Sequence, residues 1–355
     1  MDVTPRGPLS AALIDALHGP LEPLPDLVPA AHDAVAAVEP VGDDPAGTGS
    51  APGGDVVGSE DVQLALYLMY ELHYGLAGAD PRWEWAPELL AARAVLEAAF
   101  EADLRRRFAG PVPDRPVAEV LFELTADAAR PGPDSLAVHV ARRATREQVA
   151  ELLVQRSVYQ LKEADPHTWG IPRLRGRPKA ALVDIQTDEY GQGRVERMHA
   201  TLFATTMRAL GLDDRPNAYL DVVAAPSLAS VNAISMFGLH RRLVGALCGH
   251  LAAFEMTSSL PAARWAQGLR RLGVDESAVV FFDEHVEADA VHEQVAAHDL
   301  CGGLVEQDPL THADVLWGAA ACLGLDELVG ARARAAWAAD RSALRTGTPV
   351  PAGQA

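Results

Sequence analysis

From Phe281 the chain reads "FFDEHVEADAVHEQ", a stretch crowded with histidines and acids. His285, Asp289 and His292 stand at i, i+4 and i+7. At about 100° per residue on a helix they fall within roughly 60° of one another. Ala278, Phe281, Phe282 and Ala296 share that face. Asp283, Glu287, Gln294 and His298 lie opposite, and Glu284 and Glu293 flank the apolar stripe. A carboxylate on a core-facing stripe is costly unless it is paired or binds a metal. Two imidazoles beside it make a metal the sharper expectation. A buried ion pair or a hydrogen-bonded core histidine is the plainer one.

One helix does not close a metal site, so other inward donors must come from facing helices. Glu255 is an isolated acid on a stripe of Val244, Cys248, Leu251 and Ala252, and His250 points elsewhere. Glu189 shares a face with Leu182 and Ile185, while Asp184 and Asp188 fall on the other side. His199 lies with Val195, Leu202, Phe203 and Thr206. An unbroken helix would hold Glu189 and His199 about 80° apart. Gly191 and Gly193 between them permit a break that re-aims one of the two. Glu163 is a weaker candidate, closing a helix whose inner side holds Tyr159 before Pro166 stops it.

The set is then Glu163, Glu189, His199, Glu255, His285, Asp289 and His292. Carboxylates and imidazoles without thiolate suit iron or manganese better than a structural zinc. This many donors is too many for one ion and suits two. The carboxylates also balance the charge of two divalent cations, so a buried site would be near neutral.

The elements that must position these residues read as helices. Of 355 residues, 49% are hydrophobic, dominated by alanine and leucine with few aromatics, which favours helix over sheet. A net charge of −19 argues against nucleic acid or an anionic membrane surface as partner. Cys248, Cys301 and Cys322 are too widely spaced for a CxxC metal site and fit a reducing, cytoplasmic location. The start "MDVTPRGPLS" lacks an apolar signal core, and no run of about 18 apolar residues is evident, so no membrane span is expected.

Residues 1–60 read as an N-terminal extension, with short helices near 8–18 and 28–38 and a Gly/Pro/Asp-rich linker. Residues 61–346 read as one helical domain and 347–355 as a flexible tail. Helices are expected near 61–76, 86–108, 115–128, 145–164, 178–190, 193–211, 227–259, 261–272, 276–300, 307–326 and 328–346. Pro261 is expected to break the long helix, and Gly302-Gly303 to end the one bearing His285. No period-2 pattern is convincing. The class is all-α, a helical bundle.

At these residues the sequence resembles the haem-oxygenase-like diiron oxidases, actinobacterial proteins described as iron-containing redox enzymes. The shared pattern is Glu189…His199…Glu255…His285-x3-Asp289-x2-His292, with Glu163 upstream as an additional ligand. "YELHYGLAG" at Tyr70 and "QLKEADPHTW" at Gln160 also look typical, and the likeness covers roughly residues 60–330. It implies a haem-oxygenase-like bundle that binds no haem. It implies two iron ions, dioxygen as co-substrate and an external electron donor. Glu163 becomes the candidate for a ligand that shifts as the metal changes state. The implied reaction is oxygenation of a small molecule, first of all N-oxygenation of an amine in a biosynthetic pathway. Oxidative C–C cleavage, decarboxylation or desaturation of an amino-acid-like or fatty substrate is the alternative, and iron binding without turnover a further one. A homodimer is one assembly open to it. No GxGxxG fingerprint for a flavin or NAD is present.

A rival ligand pattern remains. Glu196-x-x-His199 and Asp289-x-x-His292 echo the paired motifs of ferritin-like diiron bundles. In that reading Glu196 replaces Glu189 and His285 is left without a role. Glu189 is preferred for that reason, with Glu196 as a candidate partner behind the ligands.

Overall fold

The structure, a computed structural model, describes residues 3–38, 54–76, 78–130 and 132–346, without the side chains of 287–290. The expected linker core, the expected tail and the side chains of Glu287 and Asp289 lie outside the described residues. The chain is all-α: no strand runs through the described residues. The helices are α1 (Pro8–His18), α2 (Leu27–Ala36), α3 (Glu60–Glu71), α4 (Pro87–Phe108), α5 (Val117–Ala129) and α6 (Leu136–Arg142). There follow α7 (Arg146–Gln160), α8 (Asp165–Thr168), α9 (Gly176–Glu189), α10 (His199–Ala209) and α11 (Ala225–Leu239). The last are α12 (Val244–Arg271), α13 (Val280–Gln294), α14 (Gly303–Gln307) and α15 (His312–Ala338).

Two compact units are present. One comprises residues 1–109 and 224–233. Its α3 starts where Ser59 accepts a hydrogen bond from the Val62 amide. The "YELHY" segment packs and hydrogen-bonds: Tyr70 donates to Glu97 at 2.9 Å, and His73 lies 2.8 Å from Glu84. Trp83 is buried, whereas Trp85 is 69% exposed and stands edge-on to His73 with 5.7 Å between ring centroids.

The other unit comprises residues 110–223 and 234–355. In it α12 packs against α13 and α15, and α9 packs against the turns that follow α13. Gly249 and Gly318 let α12 and α15 approach: an added Cβ at either would strike the backbone of Val315 or Ala246.

Several boundaries differ from the sequence reading. α12 runs through Pro261. Proline removes one amide donor, but the stripe of Ala262, Trp265, Ala266 and Leu269 beyond it is buried, and that packing carries the helix on. The long helix breaks earlier, at His240 and the 3-10 turn Arg241–Leu243. Gly302 and Gly303 do not end a helix either. After α13 the backbone widens into a π-helix, Val295–Gly302, and continues into α14. Gly303 serves close approach, since an added Cβ would lie 2.9 Å from Arg177 Nε and 3.2 Å from Pro178. Pro166 opens α8 rather than stopping α7, which ends at Gln160. The two helices expected over 307–346 are the single α15. The segment Arg241–Arg271 is long and apolar enough for a membrane span, but 67% of its apolar window is buried inside the protein, as in a core helix.

Candidate metal centre

The site forms where α9, α10, α12, α13 and the turn after α7 meet in the second unit. Glu189 is the last residue of α9 and His199 the first of α10. Between them the chain reverses through two 3-10 turns, with Gly191 at φ 61°, Gln192 at φ 55° and Gly193 at φ 78°. The break expected from the glycines is there, and it brings Glu189 Oε2 within 3.0 Å of His199 Nδ1. Both side chains are buried.

Glu163 sits in the turn between α7 and α8. Ala164 takes φ 79°, a left-handed conformation unusual for a residue with a side chain. Gln186 donates to the Ala164 carbonyl at 3.1 Å, and Tyr190 donates to Asp165 at 2.7 Å. These bonds tie the turn to the end of α9 and hold Glu163 near the other donors. Its Oε1 lies 3.8 Å from His285 Nε2. Ligating atoms of Glu163, His199 and His285 lie within 4.8 Å of one another. The His199 and His285 rings are 4.4 Å apart between centroids.

Glu255 lies in the middle of α12, buried, with Oε2 3.2 Å from His292 Nδ1. The opposite nitrogen of His292, Nε2, lies 3.0 Å from Asp188 Oδ2. Glu163, Glu189, His199 and His285 thus form one group and Glu255 with His292 a second, and the charges of Glu189 and His285 reach Glu255. Asp289 shares α13 with two of them, and its side chain lies outside the described residues. Glu196 is exposed on the turn Val195–Arg197, and the extended Met198 separates that turn from α10. A helical Glu-x-x-His pair therefore does not form there. Asp188, assigned outward by the helix wheel, is the neighbour that sequence reasoning missed. The wheel places it on the far side of α9, but α13 passes along that edge.

The electrostatics are those of a buried, mixed cluster. Burial alone would raise the Glu189 carboxyl, but His199, His285 and His292 more than reverse this and hold it below its usual value. Burial would lower His199, but Glu189 keeps it raised. Glu255 is raised, by burial first and then by the charge of Glu189. Tyr159, whose phenol is pushed well up by burial and then by Glu163, Glu189 and Glu255, stays protonated beside them. Phe281 stands edge-on to His199 and against Phe203 and His285, forming an apolar wall. His250, set aside at the sequence level, is buried and pairs at 3.3 Å with His167, which feels the charge of Glu189.

Two observations test whether a metal fits. Among the described residues, Glu163 Oε2 and His199 Nδ1 are buried without a hydrogen bond, although His199 Nδ1 is so close to Glu189. Such atoms are costly to bury unless something else satisfies them. The donors are also all oxygen or nitrogen. The buried cysteines stay protonated, with Cys248 pushed up to about 12 by burial. An O/N cluster of this kind fits iron.

A family model described as "iron-containing redox enzyme" matches residues 150–327. The chain belongs to that family. The iron-containing redox enzymes are the group that the Glu…His…Glu…His-x3-Asp-x2-His pattern pointed to, and the matched segment holds every candidate ligand. The protein is therefore an oxidoreductase that uses iron. It is similar to nitrosourea synthase of Streptomyces achromogenes subsp. streptozoticus, at 28% identity over 164 residues. That match spans 46% of this chain and only 35% of the relative. Among solved structures, a CADD-like protein of unknown function from Nostoc punctiforme PCC 73102 superposes with a TM-score of 0.45 at 16% identity. The superposition covers 59% of this chain and 91% of that one.

Proposed function

We propose that this iron-containing redox enzyme is a diiron oxygenase that uses dioxygen to oxygenate the nitrogen of a small amine. The observation that carries the reading is the Glu163–His199–His285 cluster, joined by Glu189, with the buried Glu255–His292 pair in its electrostatic reach. Six carboxylate and imidazole donors from five elements are more than one ion takes when it keeps positions open for dioxygen. Asp289 is assigned as a seventh ligand from its helical register with His285 and His292.

Bound here as Fe(II), the metals would supply electrons that activate dioxygen. The chain's own residues do the rest. Glu189 and His199 are fixed by the glycine break, and Glu255 and His292 by burial in facing helices. Glu163 is held by a turn rather than a helix, so it is the donor freest to change position. Phe203 and Phe281 keep water from one side of the cluster. Tyr159 keeps its proton, its phenol pushed up by burial and then by Glu163, Glu189 and Glu255.

N-oxygenation is favoured over attack on carbon because the curated relative's name denotes a product with an oxidised nitrogen. One oxygen atom of O2 enters the amine and the other leaves as water, so two electrons and two protons come from an external donor. The test is to load the protein anaerobically with Fe(II), count iron per chain, and expose it to O2 with a reductant and a panel of amines, amino acids and fatty acids. Two irons, O2 consumption and hydroxylamine-type products support the reading. Alkenes or chain-shortened products would move it to carbon chemistry, and no O2 consumption would overturn it.

A further inference from the structure

A carboxylate faces each ring nitrogen of His292. Nδ1 faces the buried Glu255 Oε2 at 3.2 Å. Nε2 faces Asp188 Oδ2 at 3.0 Å, and that carboxylate is 40% exposed. The imidazole thus points one nitrogen into the donor cluster and the other towards the edge of the unit. Asp188 is itself steered. Its Oδ1 accepts a hydrogen bond from Gln192 Nε2 at 3.1 Å, and Gln192 lies in the left-handed segment between Gly191 and Gly193. The break that aims His199 therefore also supplies a clamp on Asp188.

We infer that Asp188 is a positioning residue for the metal site, fixing the His292 proton on Nε2 so that Nδ1 is the ligating nitrogen. This rests on the proposed metal reading of the cluster. The physical basis is the two-sided chemistry of imidazole: a neutral ring donates from one nitrogen and binds metal through the other. A carboxylate that accepts from the outer N–H sets the tautomer, fixes the ring plane and raises the basicity of the inner nitrogen. His285 is set the other way. Its Nδ1 lies 2.6 Å from the Phe281 carbonyl, which accepts a hydrogen bond from Nδ1–H and leaves Nε2 facing Glu163. The two histidines of α13 thus present different nitrogens, each chosen by its outer partner.

The test measures binding of Co(II), as a spectroscopic stand-in, and of Fe(II) by the full chain and by Asp188→Ala, Asp188→Glu and His292→Ala. D188A should weaken one ion about 10–100-fold and shift the Co(II) d–d absorption, leaving the other ion within about threefold. D188E should restore most of the affinity, which a merely structural salt bridge would not require. The metal-free D188A protein should melt close to the wild type, since Asp188 lies at a partly exposed edge. A structure with metal bound should show His292 ligating through Nδ1. Wild-type binding in D188A alongside loss in H292A would overturn the role of Asp188 and leave the metal site intact. Ligation through Nε2 would overturn it equally. Failure of the wild type to bind either metal would overturn the proposed function and this inference together.

Discussion

Glu189 and His199 are ten positions apart in sequence, and their side chains meet at 3.0 Å across a reversal of the chain. That contact depends on Gly191, which holds φ 61° and has no room for a side chain: an added Cβ would lie 2.6 Å from Met198 N. Gly191→Ala should therefore cost more than the usual 1–2 kcal/mol for a left-handed residue with a Cβ. It should also weaken iron binding by displacing His199. Urea unfolding and an Fe(II) titration check both. Wild-type values in both would show that the reversal is tolerant and the contact incidental.

Metal should stabilise the fold. The cluster confines carboxylates and imidazoles that only partly satisfy one another, so the folded state binds ions that the unfolded chain holds weakly. Free Fe(II) at a hundredfold excess over Kd stabilises by about 2.7 kcal/mol for each site. Anaerobic thermal unfolding should show a rise in Tm on adding Fe(II), reversed by a chelator. An unchanged Tm with iron in solution would contradict it.

The His167–His250 pair gives a pH dependence of known sign. Burial pushes His167 down to about 4, against a raising pull from Glu189. His250 is also well down, through burial first and His167 second. The folded pKa lies below the unfolded one, so the unfolded chain binds more protons between them. The stability is whole above about 6.5 and is lost as pH falls towards 4. At about 1.36 kcal/mol for each pH unit of that window, the His167 share is about 3 kcal/mol. Urea unfolding at pH 7.5 and 4.5 measures it. His167→Gln should shrink the difference, and an undiminished difference would assign the acid sensitivity to other groups.

Pro261 sits inside α12, where it lacks the amide that would bond the Thr257 carbonyl. Pro261→Ala should restore that bond and raise the unfolding free energy by about 1–3 kcal/mol. A loss of stability would mean that a proline kink is needed for the packing of Trp265 on Phe282.

Much of this was legible in the sequence because ligand-type residues on apolar stripes stand out. Glu255 stands out as an isolated acid on an apolar stripe and His292 through its register with His285 and Asp289, and the glycines at 191 and 193 announce a break. Asp188 was not legible: one helix wheel says outward, and only the fold brings His292 to that partly exposed edge. Ala164 gave no warning of its left-handed backbone, which lets Glu163 turn inward, because alanine carries no such signature. Pro261 and Gly302-Gly303 are strong local punctuation, yet burial of Trp265 and the close approach of Gly303 to Arg177 overrode both. Local chemistry singles out the candidate ligands, and tertiary packing decides where each is placed.

The most direct measurement is an anomalous-scattering structure of crystals loaded anaerobically with Fe(II). Two iron ions are expected within the cluster, ligated by Glu163, Glu189, His199, Glu255, His285 and His292, with Asp289 completing the set. One ion only, or iron bound elsewhere while these side chains keep their mutual contacts, would contradict it.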